Sequence, residues 1–382
     1  MRKISKKKHH EQTRLLDAVK PIYQKEIVEL NKAKFISILS AADELEDVAQ
    51  LRDNIQTLID IFFQSREDEA GILSVDPDEE SIPFQRDVLI SELEQIIEAQ
   101  TISRSKYYIE RLIKGTQVRK TKINDINLAR WKEYEDILTD TLWNFPKREN
   151  HGAHLASYWG NFVPQIPYQI MTRFTKEGDW VLDTFLGSGT TLIECRRLAR
   201  NGIGIEINPE VARGAEELIE KQENVSNVTT DVIAGDSGHI DYEALLKKHN
   251  ITNVQLIIMH PPYHDIIKFS KDENDLSNAK SVEEFLQMFG KIVEKATACL
   301  EVGRYLALII GDKYSNGEWV PLGFYCMNKV MEQRNFLLKS LIVKNFEGTR
   351  GKRNQTELWR YRALVGGFYV FKHEYVILFQ KL

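Results

Sequence analysis

Val181-Leu182-Asp183-Thr184-Phe185-Leu186-Gly187-Ser188-Gly189-Thr190-Thr191 is the stretch on which the fold of this chain turns. A short apolar run ends on an acid. Two glycines with a serine between them follow, and then residues with helical spacing. That is the pattern of a strand, a tight turn and a helix, because glycine tolerates positive φ and lets other groups approach the backbone closely. Outward from it the apolar runs alternate in type. Strands are expected at 179–184, 202–207, 228–234, 254–259, 305–311, 336–346 and 369–381. Helices are expected at 190–201, 209–223, 282–299 and 321–333. Such alternation predicts an α/β domain on a largely parallel, Rossmann-like sheet with helices on both faces. Ligands of such sheets sit at the carboxyl ends of the strands.

Chemistry-bearing residues recur at those ends. The helix after Gly187-Ser188-Gly189 offers free N–H groups to a carboxylate or phosphate. Glu206, with Ile207 behind it, ends the second strand and suits a pair of ribose hydroxyls. Asp236 and Ser237 follow the third strand, where an acid can hold an adenine amino group. The run lacks the full G-x-G-x-x-G pattern, and no P-loop lysine is present. A nucleoside cofactor is the expectation, with a plain structural glycine turn as the alternative. His260-Pro261-Pro262-Tyr263 closes the fourth strand. Proline has no N–H, so this step presents a bare carbonyl beside an aromatic ring.

Residues 1–140 differ in character. They carry apolar residues at three- and four-residue spacing (Ile27, Leu30, Phe35, Ile38, Leu39; then Val88, Leu89, Leu93, Ile96, Ile97) and predict an N-terminal helical accessory domain. Helical spacing with few breakers is read over 18–63, and an acidic loop over 74–83. The domain boundary is placed at 140/141, with residues 141–382 forming the α/β domain. The 382 residues suffice for two domains. The basic tip at residues 1–10 has no apolar stretch behind it and does not read as a secretory signal. No apolar run approaches the ~20 residues of a membrane span. Cys195, Cys299 and Cys326 are far apart, lack metal spacing, and read as small core residues in a reducing compartment such as the cytoplasm. No metal site is expected.

The net charge of −5 argues against indiscriminate coating of nucleic acid, but the basic residues cluster. Residues 104–122 hold seven of them against Glu110. Residues 344–362 hold Lys344, Arg350, Lys352, Arg353, Arg360 and Arg362 against Glu347 and Glu357. The second stretch continues to 371 with Asn345, Asn354, Gln355, Trp359 and Tyr361. Cations for phosphates, amides for base edges and aromatics for stacking make 344–371 the expected target-recognition segment.

Taken together, the glycine turn resembles the S-adenosylmethionine-binding motif of the DNA amino-methyltransferases, which modify adenine N6 or cytosine N4. The family usually has Pro where this chain has Thr184. Gly160-Asn161-Phe162-Val163-Pro164-Gln165-Ile166-Pro167 resembles the family's segment over the methionine end of the cofactor, and Leu142-Trp143-Asn144-Phe145-Pro146 starts that cover. His260-Pro261-Pro262-Tyr263 resembles the catalytic (D/N/S)PPY tetrapeptide, and His373-Glu374-Tyr375-Val376-Ile377-Leu378-Phe379 a closing strand of many members. The resemblance spans residues 142–382, with the cofactor motif first and the catalytic motif second.

The resemblance implies S-adenosylmethionine as cofactor. Asn161, Phe162, Pro164, Asp183, Phe185, Gly187, Ser188, Gly189, Thr190, Thr191, Glu206, Ile207, Asp236 and Ser237 would form its site. It implies site-specific methylation of DNA, as in a restriction-modification system with a separate nuclease partner, with adenine N6 favoured over cytosine N4 as the commoner target. The base would be flipped from the duplex, its amine accepted by the Pro261 carbonyl, its ring stacked on Tyr263. His260 departs from the family's Asp, Asn or Ser. As a direct acceptor it would give an acid limb near neutrality, because protonated imidazole has no lone pair. His264 and Asp265 are secondary candidates; Asp312 reads better as a cap. An RNA guanine-N2 methyltransferase and a non-catalytic nucleic-acid-binding subunit remain open, as does a homodimer.

Overall fold

The computed structural model describes residues 26–63, 67–155, 158, 160–345 and 356–382. They fall into two compact units. One draws on Met1–Thr121 and Ile126–Asp136, the other on Lys122–Asp125 and Ile137–Leu382.

The first unit contains β1 (Ile27–Asn31), α1 (Lys32–Asp43), α2 (Val48–Phe62), β2 (Ser81–Gln85), α3 (Arg86–Glu98) and α4 (Ile102–Gly115). Its helices start where short polar side chains take up free N–H groups: Asn31 accepts from Lys34, Asp47 from Ala49 and Gln50, Thr101 from Arg104. Phe35, Leu39, Leu51, Ile55, Leu58, Leu89, Leu93, Ile96 and Ile109 make its core. The expected helical domain is present, with one correction. Within the stretches predicted as helix and acidic loop, β1 and β2 pair antiparallel, Val28 opposite Phe84. Ile27 and Val28 are β-branched, and Asn31 ends the strand by capping α1. Pro83 fits because both strands of a two-stranded sheet are edges.

The second unit is built on β3 (Leu142–Trp143), α5 (Gln165–Phe174), β4 (Trp180–Asp183), α6 (Thr190–Arg197), β5 (Asn201–Glu206), α7 (Pro209–Glu220), β6 (Thr230–Ala234), α8 (Tyr242–Lys248), β7 (Val254–Met259), α9 (Val282–Ala298), β8 (Leu300–Ile310), β9 (Lys313–Ser315), β10 (Glu318–Val320), α10 (Leu322–Met331), β11 (Phe336–Asn345), α11 (Thr356–Gly366) and β12 (His373–Lys381). Eight strands form one sheet in the order β3-β11-β12-β8-β7-β4-β5-β6. All neighbours are parallel except β12, which runs against both β8 and β11.

Alternate residues feed two cores, one on each face. Leu182, Ile257, Met259, Leu306, Leu308 and Ile377 join Phe285, Phe289 and Leu322. Val181, Leu256, Ile258, Ala307, Ile309 and Val376 join Ile166, Ile170 and Met171. A sheet buried on both faces reads as near-continuous apolar runs, which is why β7 and β8 are legible. The three cysteines are buried and free. Among the described residues no helix is long and apolar enough to cross a membrane, and no His, Cys, Asp or Glu cluster could hold a metal.

Candidate active site

β4 and β7 are adjacent and parallel, with Asp183 opposite Ile258, so the glycine turn and the tetrapeptide leave the sheet side by side. Asp183 is buried and organises the turn. Its Oδ1 accepts the Phe185 N–H at 2.9 Å and its Oδ2 accepts the Thr191 hydroxyl. Burial pushes its carboxyl up to about 6, against the pull of those two hydrogen bonds. Phe185 packs half-buried against the core beneath. Gly189 opens α6 at φ 86°, and a Cβ there would lie 2.9 Å from Ile219 Cδ1. The first-turn N–H groups of α6 have no partner within the helix.

Glu206 is buried at the end of β5. Its Oε2 accepts the Gly187 N–H and its Oε1 the Asn208 N–H, both at 2.9 Å, which orients the carboxylate and leaves each oxygen a lone pair. Burial raises its pKa, opposed by these bonds. Ile207 lies half-buried behind it. The Ser237 hydroxyl donates to the Thr184 carbonyl at 2.6 Å and ties the loop after β6 to the turn. Asp236 closes its own loop: Oδ1 accepts the Gly238 N–H at 2.7 Å and Oδ2 meets His239. Two buried hydroxyls of the turn, Thr184 Oγ1 and Ser188 Oγ, have no hydrogen-bond partner among the described residues.

The expected cover segment is tied to the same turn. Asn161 Oδ1 accepts the Thr190 hydroxyl at 2.6 Å, Phe162 is buried, and Pro164 precedes α5. The Phe162 ring meets His260 edge-on with centroids 4.9 Å apart. Sequence reasoning missed Tyr158, whose ring lies by Gly187 and stacks on Phe269 at 6.2 Å. Burial, then the charges of Glu206 and Asp275, hold its hydroxyl well above the usual range.

In the tetrapeptide, Pro261 is buried and His260, Pro262 and Tyr263 are partly so. The Tyr263 hydroxyl donates to Glu374 Oε2 at 2.7 Å, and Glu374 Oε1 lies 3.0 Å from Lys344 Nζ. Lys344 and Glu374 are direct partners across β11 and β12. At 5% and 3% exposure they form a buried ion pair. This corrects the placement of Lys344: its ammonium faces Glu374 beneath the tetrapeptide, because alternation along β11 turns it inward. His260 Nε2 lies 3.4 Å from the Tyr263 oxygen. Enclosure lowers the His260 pKa to about 4, with Glu374 opposing and Lys344 assisting. The imidazole is therefore neutral at pH 7, and the acid limb expected near neutrality moves down.

His264, at φ 55°, donates from Nε2 to the Ala279 carbonyl at 3.0 Å and accepts Lys313 Nζ at Nδ1, 2.9 Å away. Lys313 also binds Asp265, whose carboxyl it holds below the usual range. These residues anchor the loop after the tetrapeptide. Asp312 takes the capping role, accepting the Gly323 N–H at 2.9 Å, with Trp319 Nε1 and the Tyr375 hydroxyl as further donors. The β9–β10 hairpin that carries Lys313 and Trp319 turns on Asn316-Gly317, both at positive φ, a sequence signal for this turn that was overlooked. Of the remaining basic candidates, Arg360 and Arg362 stand exposed on α11, Arg362 over the Trp359 ring at 5.2 Å. Arg350, Lys352 and Arg353 lie outside the described residues.

The family model for DNA methylase matches residues 41–217, taking in the glycine turn and ending before the tetrapeptide. The chain is 28% identical over 187 residues to the Type II methyltransferase M.MjaII of Methanocaldococcus jannaschii, covering 48% of this chain and 28% of that protein. It is 40% identical over 70 residues to M.Cfr9I of Citrobacter freundii, covering 18% and 22%. With M.HpaI of Haemophilus parainfluenzae it shares 48% over 62 residues, covering 16% and 20%. The chain thus spans between a fifth and a third of the length of these curated relatives. TrmN from Thermus thermophilus is similar in structure at a TM-score of 0.38 and 16% identity, over 58% of this chain and 49% of that one. Through the turn at 183–191 the chain is thus similar to DNA methylases and to Type II methyltransferases over part of its length.

Proposed function

We propose that this chain transfers a methyl group from S-adenosylmethionine to an exocyclic amine of a DNA base, adenine N6 or cytosine N4. The observation that supports the reading is the register of Asp183 against Ile258, by which the glycine turn and the tetrapeptide leave the same end of neighbouring strands. The turn fits a polar nucleoside cofactor. Thr184 and Ser188 hold buried hydroxyls without partners among the described residues, Glu206 has two aligned lone pairs, and α6 offers its first N–H groups. Asp183, Phe185, Gly187, Gly189, Thr190 and Thr191 shape that site, and Asn161, Phe162 and Pro164 cover it. Asp236 and Ser237 border it as loop-closing groups.

The cofactor supplies an electrophilic sulfonium methyl. The residues supply orientation. A base amine is a weak nucleophile because its lone pair is delocalised into the ring. The Pro261 carbonyl accepts one amine hydrogen, which favours a pyramidal nitrogen. Neutral His260 can accept another. The Tyr263 hydroxyl donates its hydrogen bond to Glu374, so His260 meets that oxygen as an Nε2–H donor and keeps its lone pair on Nδ1. Tyr263 provides the ring on which the flipped base stacks. Holding both reactants together supplies most of the acceleration. The exposed Arg360 and Arg362 of α11, with Arg350, Lys352 and Arg353 of the same segment, would contact DNA phosphates.

Tritium transfer from labelled cofactor to duplex DNA, with tRNA as the comparison and nucleoside mass spectrometry of the product, tests this directly. Label in N6-methyladenine or N4-methylcytosine supports it; label only in tRNA, or none, overturns it.

His260 yields a pH prediction. With its folded pKa near 4 against an ordinary 6.5, the imidazole stays neutral above about pH 5. Single-turnover rates of the wild type and of His260→Asn should therefore follow the same pH profile between about pH 5.5 and 8. A limb near 6.5 that His260→Asn removes would contradict the burial argument. The sign for stability is the reverse of a salt-bridged histidine. The unfolded chain binds this proton more readily, so the wild type should lose stability as pH falls from about 6.5 to about 4, and His260→Asn should lose less over that window.

A further inference from the structure

Resting on the methyl-transfer reading above, we propose that Glu374, charge-paired with Lys344, is a positioning residue that holds the Tyr263 ring in the orientation needed to receive the target base. Three contacts meet on that ring. Its hydroxyl donates to Glu374 Oε2 at 2.7 Å. Its edge meets the His260 ring nearly perpendicularly, with centroids 5.8 Å apart. Its Cε2 lies 2.7 Å from where a Cβ on Gly311 would stand, so the ring presses against the chain at the end of β8, where only glycine leaves room. Part of the tyrosine surface stays exposed beyond these contacts.

The three anchors come from separate strands. Glu374 is the second residue of β12, Gly311 directly follows β8, and His260 directly follows β7. The antiparallel course of β12 is what brings its first residues to the carboxyl end of the parallel strands. Glu374 is buried, and Lys344, its register partner, meets it at 3.0 Å. A buried ion pair adds little net stability over an apolar pair of the same shape. Its value here is geometric. A carboxylate with one oxygen on Lys344 presents the other to Tyr263 in a single direction. That bond also directs the tyrosine proton away from His260 and so sets which imidazole nitrogen keeps its lone pair.

If Glu374 acts through Tyr263, removing either end of their bond should cost the same thing once. The measurement is the kcat for tritium transfer to unmethylated genomic DNA at saturating cofactor, with cofactor Kd measured separately by calorimetry. Tyr263→Phe keeps the ring and loses the hydroxyl; in Glu374→Gln the Lys344 ammonium takes the amide oxygen, which leaves the NH2, a donor, facing the Tyr263 hydroxyl and removes its acceptor. Each should lower kcat about tenfold with cofactor Kd unchanged, and the double variant should fall no further than about tenfold. If Glu374→Gln alone does not fold because Lys344 is left unpaired, Lys344→Met with Glu374→Leu, which removes both charges and the acceptor, takes its place in the cycle. Losses that multiply to about a hundredfold, unaltered kcat in either single variant, or cofactor Kd rising in step with the loss of kcat would each overturn the proposal. A wild-type chain that moves no label would instead overturn the methyl-transfer reading, and the inference with it. As an independent arm, Gly311→Ala should lower kcat by about tenfold or more by displacing the ring, and an unchanged rate would count against the ring being held there.

Discussion

Gly189→Val is expected to weaken binding of S-adenosylmethionine at least a hundredfold while the chain remains folded. Gly189 sits at φ 86°, its N–H donates to the Leu186 carbonyl at 3.1 Å, and its carbonyl accepts the Ile193 N–H at 3.0 Å to begin α6. A β-branched residue is strongly disfavoured at positive φ, at about 1–2 kcal/mol for the backbone alone. The added Cβ would also stand 2.9 Å from Ile219 Cδ1 and 3.5 Å from Ala215 Cβ, in the tight packing of α6 against α7, where overpacking costs about 1–3 kcal/mol more. The turn relieves this by moving, which misplaces Gly187, Ser188 and the first N–H groups of α6 together. Calorimetric titration with cofactor reads the loss, and circular dichroism checks that the helices persist. An unchanged Kd in a folded variant would show that this turn does not hold the cofactor.

The second large effect is expected from Tyr263→Ala. Base stacking on an aromatic side chain contributes about 1–3 kcal/mol per base, which corresponds to roughly 5- to 150-fold in rate if the ring is needed in the transition state. The upper part of that range is expected. The truncation also leaves Glu374 without its second donor and opens space beside Gly311 into which the base can tilt. Cofactor affinity should not change, because no described contact of Tyr263 reaches the glycine turn. Single-turnover methylation of genomic DNA, with cofactor Kd alongside, separates the two. A fall of less than about threefold would remove Tyr263 as the stacking platform, and a matching loss of cofactor affinity would show a general collapse of the site. Replacing Arg360 and Arg362 by Ala should instead weaken DNA binding and flatten its salt dependence without altering the single-turnover rate once the base is bound.

The difference between the two motifs and the network beneath them lies in the range of the forces that place them. A strand, a turn of two glycines and a helix are dictated by neighbours a few residues apart: β-branched and apolar runs, positive φ at Gly189, an acid at Asp183 that accepts the Phe185 N–H and the Thr191 hydroxyl. These are legible in any single sequence, and so is the alternation that yields a sheet buried on both faces. Local signals also misled where they competed. Apolar spacing at 27–39 satisfies a helix, yet Ile27–Asn31 pairs with Ser81–Gln85, because a strand fifty residues away supplies hydrogen bonds that the local pattern cannot anticipate.

By itself, then, the sequence determined the Rossmann-like sheet, the glycine turn with Glu206 and Ser237 around it, and the tetrapeptide as a second motif of the same domain. Tertiary structure alone decided that Lys344 lies buried against Glu374 while Arg360 and Arg362 face solvent, that Tyr263 bonds to a residue 111 positions away, and that His260 is held neutral. Charge along the chain says only that a lysine is present. Whether it meets a phosphate or a carboxylate depends on which face of β11 it occupies and on what β12, running in the opposite direction, sets beside it. Register of that kind comes from the packing of the whole sheet, and the desolvation that lowers the His260 pKa exists only once that packing has closed around it.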